Sequence, residues 1–214
     1  MYDLCACTAP TELTTIPGGA NSCIPGKFAK FIFQRRSEAN NFIGTGATPP
    51  GSNPIDEEAS WTGLPSANDD SKVVITPFLE EVEFSEQDVL EDGENFDGAP
   101  NAIDTAPTLV TATIRNIGNT QFDAIKALQC ERDLVVYMID ARSNFWVREI
   151  ATEVHNGFTI SPDTFVMKDP SRGPGKVDQF KAMFQFYIAS SWYSEAVKII
   201  PEAGFDPLNE IVAP

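Results

Sequence analysis

Residues 177–189 read VDQFKAMFQFYIA. Phe180, Ala182, Phe184, Phe186 and Ile188 fall on one side of an extended chain, and Gln179, Lys181, Met183, Gln185 and Tyr187 fall on the other. Successive side chains of a strand point to opposite faces, so the stretch predicts a strand with one apolar and one mixed face. At 13 residues it is longer than the usual strand, which suits an element that crosses packed layers or runs into an assembly. Residues 192–200 predict its antiparallel return, stopped by Pro201, although their apolar positions fit a short helix as well. Upstream, residues 134–139 (LVVYMI) are apolar throughout, as a strand covered on both faces has to be. Residues 140–144 read as a turn and 145–150 as the return of a hairpin. Residues 108–115 (TLVTATIR) alternate. Between these strands lies one helical pattern, residues 120–131, with Asn119 or Thr120 as cap, Asp123 in the first turn, and a stripe of Phe122, Ile125 and Leu128.

The N-terminal half is more broken. Residues 1–26 hold Pro10, Pro17, Pro25 and three glycines, which predicts an irregular arm. Residues 27–34 (KFAKFIFQ) predict a strand with Ala29, Phe31 and Phe33 on one side. Residues 72–78 (KVVITPF) predict another, ended or held at an edge by Pro77, with Val82 and Phe84 extending it. Short strands are expected at 158–160 and 164–167, and a loop at 168–176. The expected fold is mainly β with one flanking α-helix, an antiparallel sandwich or barrel-like body over residues 27–214. Long loops are expected at 37–60 and 85–106.

Charge divides the chain. Of 214 residues, 31 are Asp or Glu and 15 are Lys or Arg, a formal net charge of −16. Residues 51–104 hold 15 of the acids and a single base, Lys72, so a nearly neutral body carries one strongly acidic region. Net acidity disfavours sequence-specific nucleic-acid binding, which needs cations against phosphates. No apolar run approaches the length of a membrane-spanning helix. The start, Met1-Tyr2-Asp3-Leu4-Cys5, lacks a basic-then-apolar leader pattern, so reduced thiols are the expectation for Cys5, Cys7, Cys23 and Cys130.

Motifs that carry chemistry are absent. There is no glycine-rich phosphate loop, no G-x-S-x-G, no H-E-x-x-H and no paired C-x-x-C. The single histidine, His155, reads as a surface turn residue in EVHNG. Residues 88–99 place Asp88, Asp92 and Gly93 at calcium-loop positions 1, 5 and 6, but Leu90 and Ala99 occupy positions 3 and 12, where ligands are needed. No catalytic residue, cofactor or metal is therefore expected. Two clusters remain as assembly candidates. One is the acidic run Glu80, Glu81, Glu83, Glu86, Asp88, Glu91, Asp92, Glu94 and Asp97. The other is the basic set Lys27, Lys30, Arg35 and Arg36, which suits the acidic region of a neighbouring subunit.

The helix 120–131 feeding 134–139, the terminal pair 177–189 and 192–200, the opening KFAKFIFQRR and the stretch from Trp61 to Pro77 resemble the tail-tube proteins of long-tailed bacteriophages and related injection machines. The resemblance implies a non-enzymatic virion subunit assembled in the host cytoplasm. It implies homo-oligomeric rings, six-fold and stacked, whose sheets join into an inner β-barrel that passes DNA without binding it specifically. Other virion proteins are the implied neighbours, and no membrane is involved. A lumen lined by acids would repel phosphate. Gln179, Lys181 and Gln185 on the long strand, and the 80–97 run, are the lumen or inter-ring candidates. Head–tail connector, capsid decoration, baseplate, and a calcium-dependent β-sandwich binding module stand as alternatives.

Overall fold

The computed structural model describes residues 27–44, 53–85, 89–94, 100–172 and 180–212. The arm expected over 1–26 lies outside them. The strands are β1 (Phe28–Arg35), β2 (Phe42–Ile43), β3 (Val73–Ile75), β4 (Leu79–Phe84), β5 (Val89–Glu94), β6 (Pro100–Thr105), β7 (Thr108–Arg115), β8 (Leu134–Asp140), β9 (Phe145–Ala151), β10 (Val154–Asn156), β11 (Phe158–Thr159), β12 (Val166–Arg172), β13 (Phe180–Ile188) and β14 (Ala196–Ile199). The helices are α1 (Asn119–Ala127) and two single turns, α2 (Trp192–Glu195) and α3 (Pro207–Glu210).

Two antiparallel sheets carry the fold. The first runs β2-β10-β9-β8-β1-β3, with β11 also on β8 and β14 also on β9. The second runs β12-β13-β7-β4. β5 and β6 form a separate pair. The first sheet curls, because β9 pairs with β8 only at Met138 and Ile139 and then diverges. The chain of β10 and β11 fills the gap, pairing first with β9 and then with β8 at Val135 and Val136. Gly157 stands between β10 and β11, where a Cβ would lie 2.9 Å from the backbone N, C and O of Val136. No larger residue fits without moving a central strand.

The core has two layers, one on each side of the first sheet. Between the sheets, Phe31, Phe33, Val136 and Met138 meet Val110, Ala112, Ile114, Phe184 and Phe186. Phe165 stacks on Phe184 at 5.8 Å and on Phe186 at 6.0 Å, with the edge of Phe33 against it at 5.3 Å. On the outer side, Ile32, Val135, Tyr137 and Ile139 are covered by Ile55, Trp61, Phe205 and Leu208. Trp61 lies between Phe42 (4.5 Å) and Phe145 (5.1 Å), and its Nε1 donates to the Ile55 carbonyl. Burial on both sides is why β8 is apolar throughout, and each buried aromatic or aliphatic side chain contributes about 1.5–3 kcal/mol.

Two buried polar groups of β8 are satisfied locally. The Tyr137 hydroxyl lies 3.1 Å from Gln34 Oε1 and 3.0 Å from Asn156 Oδ1, and burial pushes its pKa up. At the end of β8, burial of Asp140 raises its proton affinity. Hydrogen bonds from the Asn144 side chain, Trp146 Nε1 and the Asn144 and Arg142 amides outweigh it and hold the carboxylate below its ordinary range.

Several expectations are confirmed: the hairpin β8–β9, the alternation of β7 and β13, and the edge position of β3. Others are corrected. β14 pairs with β9, not β13, and is preceded by the helical turn α2. Val82 and Phe84 belong to β4 in the second sheet, because the chain changes layers at 76–78 instead of extending β3. A bulge between Phe28 and Lys30 puts Ala29 on the outer face, away from Phe31 and Phe33. The helix starts one residue early. Gly118 is its N-cap, with its N–H donating to Gln121 Oε1, and a 3-10 turn carries it to Cys130. β12 continues to Arg172, into the stretch read as a loop. The acidic stretch read as a loop holds the β5–β6 hairpin, while the expected loop at 37–60 contains β2 and short 3-10 turns.

The close approach at Gly157 yields a prediction. Gly157→Ala should cost about 1–3 kcal/mol by overpacking, read as a lower urea midpoint with unchanged slope. A loss within error would show that β8 yields freely there.

Candidate functional site

The second sheet presents one face to the core and the other to solvent. Its strand register arranges the outer side chains in rows. One row runs Glu81, Thr113, Met183, Lys168 across β4, β7, β13 and β12. The next runs Glu83, Thr111, Gln185, Val166. Glu81, Glu83, Lys168 and Tyr187 are exposed, and Val166 is 38% exposed. The sheet therefore has an acidic edge, β4, and at the far edge a basic residue in the same row. No strand of the described chain pairs with the outer edge of β4 or β12, and α1 lies against β12, where Lys126 meets Asp169 at 3.0 Å. Each edge carries guards against indiscriminate pairing: bulges at 79–81 and 168–171, charges on β4, and Pro170 on β12.

The acidic residues divide into distinct roles. Glu80 is turned inward along the sheet and is 23% exposed at its side chain. It pairs with Arg115 and, at 3.3 Å, with Lys181, tying β4 to β7 and β13. Glu81 and Glu83 point to solvent. Glu91, Asp92 and Glu94 lie on β5. Glu86, Asp88, Asp97 and Gln179 lie outside the described residues.

The basic set is not one patch. Lys30 is 6% exposed, with Nζ donating to the Leu208 carbonyl at 2.6 Å and lying 4.7 Å from the Phe78 ring centre. Burial lowers its pKa, and Asp206 acts in the opposite sense. It fastens the C-terminal segment to β1, which corrects its reading as a contact for a neighbouring subunit. Arg35 makes a two-pronged contact with Glu131 at 2.6 and 3.0 Å and reaches Asp70 at 2.7 Å. Its carboxylate partners are therefore within the chain. Arg36 approaches Asp133 at 3.7 Å, and Lys27 is exposed just before β1.

A depression of about 380 Å³ beside Arg35 has Phe33, Val74, Leu128 and Leu134 among its lining residues, with no histidine, serine or cysteine. Among the described residues no group of three His, Cys, Asp or Glu side chains could hold a metal ion. Cys130 is a free, exposed thiol. No helix of the described chain is long and apolar enough to cross a membrane. His155 is not a surface turn residue: it lies on β10 and is 5% exposed. Sequence reasoning missed this because the turn ends at Glu153, two residues earlier, where φ is 58°.

No protein-family model matches the chain, and no curated protein matches it. The chain is similar to one in a cryo-EM structure of the anti-feeding prophage baseplate, 6-fold symmetrised. The identity is 10% and the TM-score 0.32, over 84% of this chain and 96% of that one.

The division among the acids is testable by single alanine substitutions. Glu80→Ala should cost about 1 kcal/mol by leaving two cations unpaired, whereas Glu81→Ala and Glu83→Ala should stay within about 0.5 kcal/mol. Thermal or urea unfolding of the three variants distinguishes them. Equal losses would mean that Glu80 has no special structural role.

Proposed function

We propose that the protein is a structural subunit of a phage-type virion or a related injection machine, and within that class a tail-tube-like subunit that joins copies of itself. The observation that supports this most directly is the row running from Glu81 at one edge of the second sheet to Lys168 at the other. β4 and β12 run in opposite directions, so β4 of one copy laid beside β12 of the next continues an antiparallel sheet. Unstaggered pairing sets Glu81 opposite Lys168, a cross-strand ion pair of about 0.2–1 kcal/mol at each junction. Repetition around a ring multiplies that small term, and main-chain hydrogen bonds add to it.

The charge balance suits the same role. A conduit that carries nucleic acid has to avoid holding it, and a subunit with a net charge of −16 repels phosphate. Glu81 and Glu83 on the solvent face of the second sheet, and the acidic β5–β6 hairpin that lies between β4 and β7 in the sequence, are the groups offered for lumen or inter-ring positions. Six-fold rings, their stacking and passage of DNA belong to this reading. So does a place in the virion beside other particle proteins.

The test is electron microscopy with light scattering on concentrated protein. The intact chain should form rings or tubes. Lys168→Glu and Glu81→Lys should each abolish them without unfolding the subunit, and the double exchange should restore them. Stable monomers in every case would overturn self-assembly. Assembly indifferent to both charges would overturn the edge-to-edge geometry.

A further inference from the structure

His155 is the chain's single histidine. It stands at the junction of three strands, opposite Phe42 on β2 and opposite Glu149 on β9. Its Nδ1 is buried and meets no hydrogen-bond partner among the described residues. The charged groups facing it are Glu149 from β9, Glu153 from the β9–β10 turn and Asp56 from the segment over the outer face. β2 supplies only Phe42 and Ile43, both apolar. Glu149 and Glu153 are exposed, so their negative charge lies toward solvent, while Asp56, 7% exposed, and the ring lie in the protein.

We propose that His155 is an acid-operated latch on the β2 edge of the first sheet: a proton on the ring drives it outward toward Glu149 and Glu153 and frees β2 from β10. The neutral imidazole is tolerated where it sits. A charged ring needs acceptors on both nitrogens, and the buried site gives Nδ1 none. Desolvation is the largest influence on the ring and lowers its pKa from 6.5, and the three carboxylates only oppose it in part. β2 is the short edge element beside the ring, held on its other side by the Ile43 N–H on the Asn53 carbonyl. It is two residues long and pairs with β10 alone in the sheet. It is bounded by Gly44 at φ 77°, whose N–H donates to the Glu153 carbonyl. Phe42 stacks on Trp61, so release of β2 also opens one side of the outer aromatic layer.

The sign follows from the lowered pKa. The folded state holds the neutral ring more strongly than the unfolded chain does. The contribution is complete above pH 6.5 and is lost as pH falls from there toward the lower folded value. The experiment uses the intact protein. A lone histidine gives one imidazole signal, so its NMR titration is unambiguous, and amide exchange, corrected for intrinsic rates, locates the opening. The ring should titrate below pH 6.5. Between pH 7.5 and 5.5, protection at Phe42, Gly44 and His155 should fall, by up to about tenfold for a single ring proton, while β8 and β13 keep theirs. His155→Gln should remove the pH dependence of β2 exchange. Titration at or above 6.5, equal loss of protection in all strands, or an unchanged pH dependence in His155→Gln would each overturn the latch. If the variant does not fold, the first two readouts on the unmodified chain still decide it. The proposal does not depend on the virion reading.

Discussion

β8 is enclosed on both faces, and most of the architecture follows from meeting that condition. One side is closed by the second sheet through Phe184 and Phe186. The other needs a cover that no sheet provides, so the chain uses the segment around Ile55 and Trp61 together with residues 205–211. The cover is fastened by polar contacts at its ends. Lys30 reaches the Leu208 carbonyl, and Ser143 donates to Asp206 at 2.6 Å. A lysine at such a depth is costly unless its ammonium finds oxygen, and here the carbonyl it finds belongs to the segment that has to stay in place. The hydroxyl of Tyr137 is met in the same spirit by Gln34 and Asn156, themselves buried.

The second sheet is built on the opposite plan. Only one of its faces is packed, and its charges are left on the other face and at the edges. That division explains how an acidic chain keeps a conventional interior. Glu80, half-buried on that sheet, is paired with Arg115 and Lys181, buried Asp140 is held by hydrogen bonds, and Glu81 and Glu83 face water. Arg35 does the same for the first sheet, drawing Asp70 and Glu131 together at its edge. Local neutralisation of this kind leaves the net charge concentrated where another molecule would meet it.

Much of this was legible in the sequence, for identifiable reasons. The period-two pattern of β13 and the unbroken apolar run of β8 record how many of their faces are covered, and that is a local property. The partner of β14 is not local: Ala196–Ile199 fits β9 only because β9 diverges from β8 and exposes a second edge. The bulge at 28–30 reverses the side on which Ala29 sits, and no periodicity announces it. Lys30 and His155 were misplaced because their residue types favour the surface, and tertiary satisfaction of a single amine or ring leaves no trace in composition. Of the candidate site, the acids Glu81 and Glu83 could be named in advance. Their alignment in one sheet with Lys168 depends on three strand registers and could not.

The pairing of β1 with β8 carries a consequence for how the molecule comes to exist. Arg35 lies opposite Leu134 and Phe28 opposite Asp140, so the sheet's central contact joins segments roughly a hundred residues apart. Closing so long a loop comes late and slowly, and until then KFAKFIFQ and LVVYMI are both unburied strands of high β propensity. The N-terminal strand emerges from the ribosome long before its mate. The interval between the two is when the chain is most exposed to misassociation, which makes the order of synthesis, as much as the final packing, a determinant of yield.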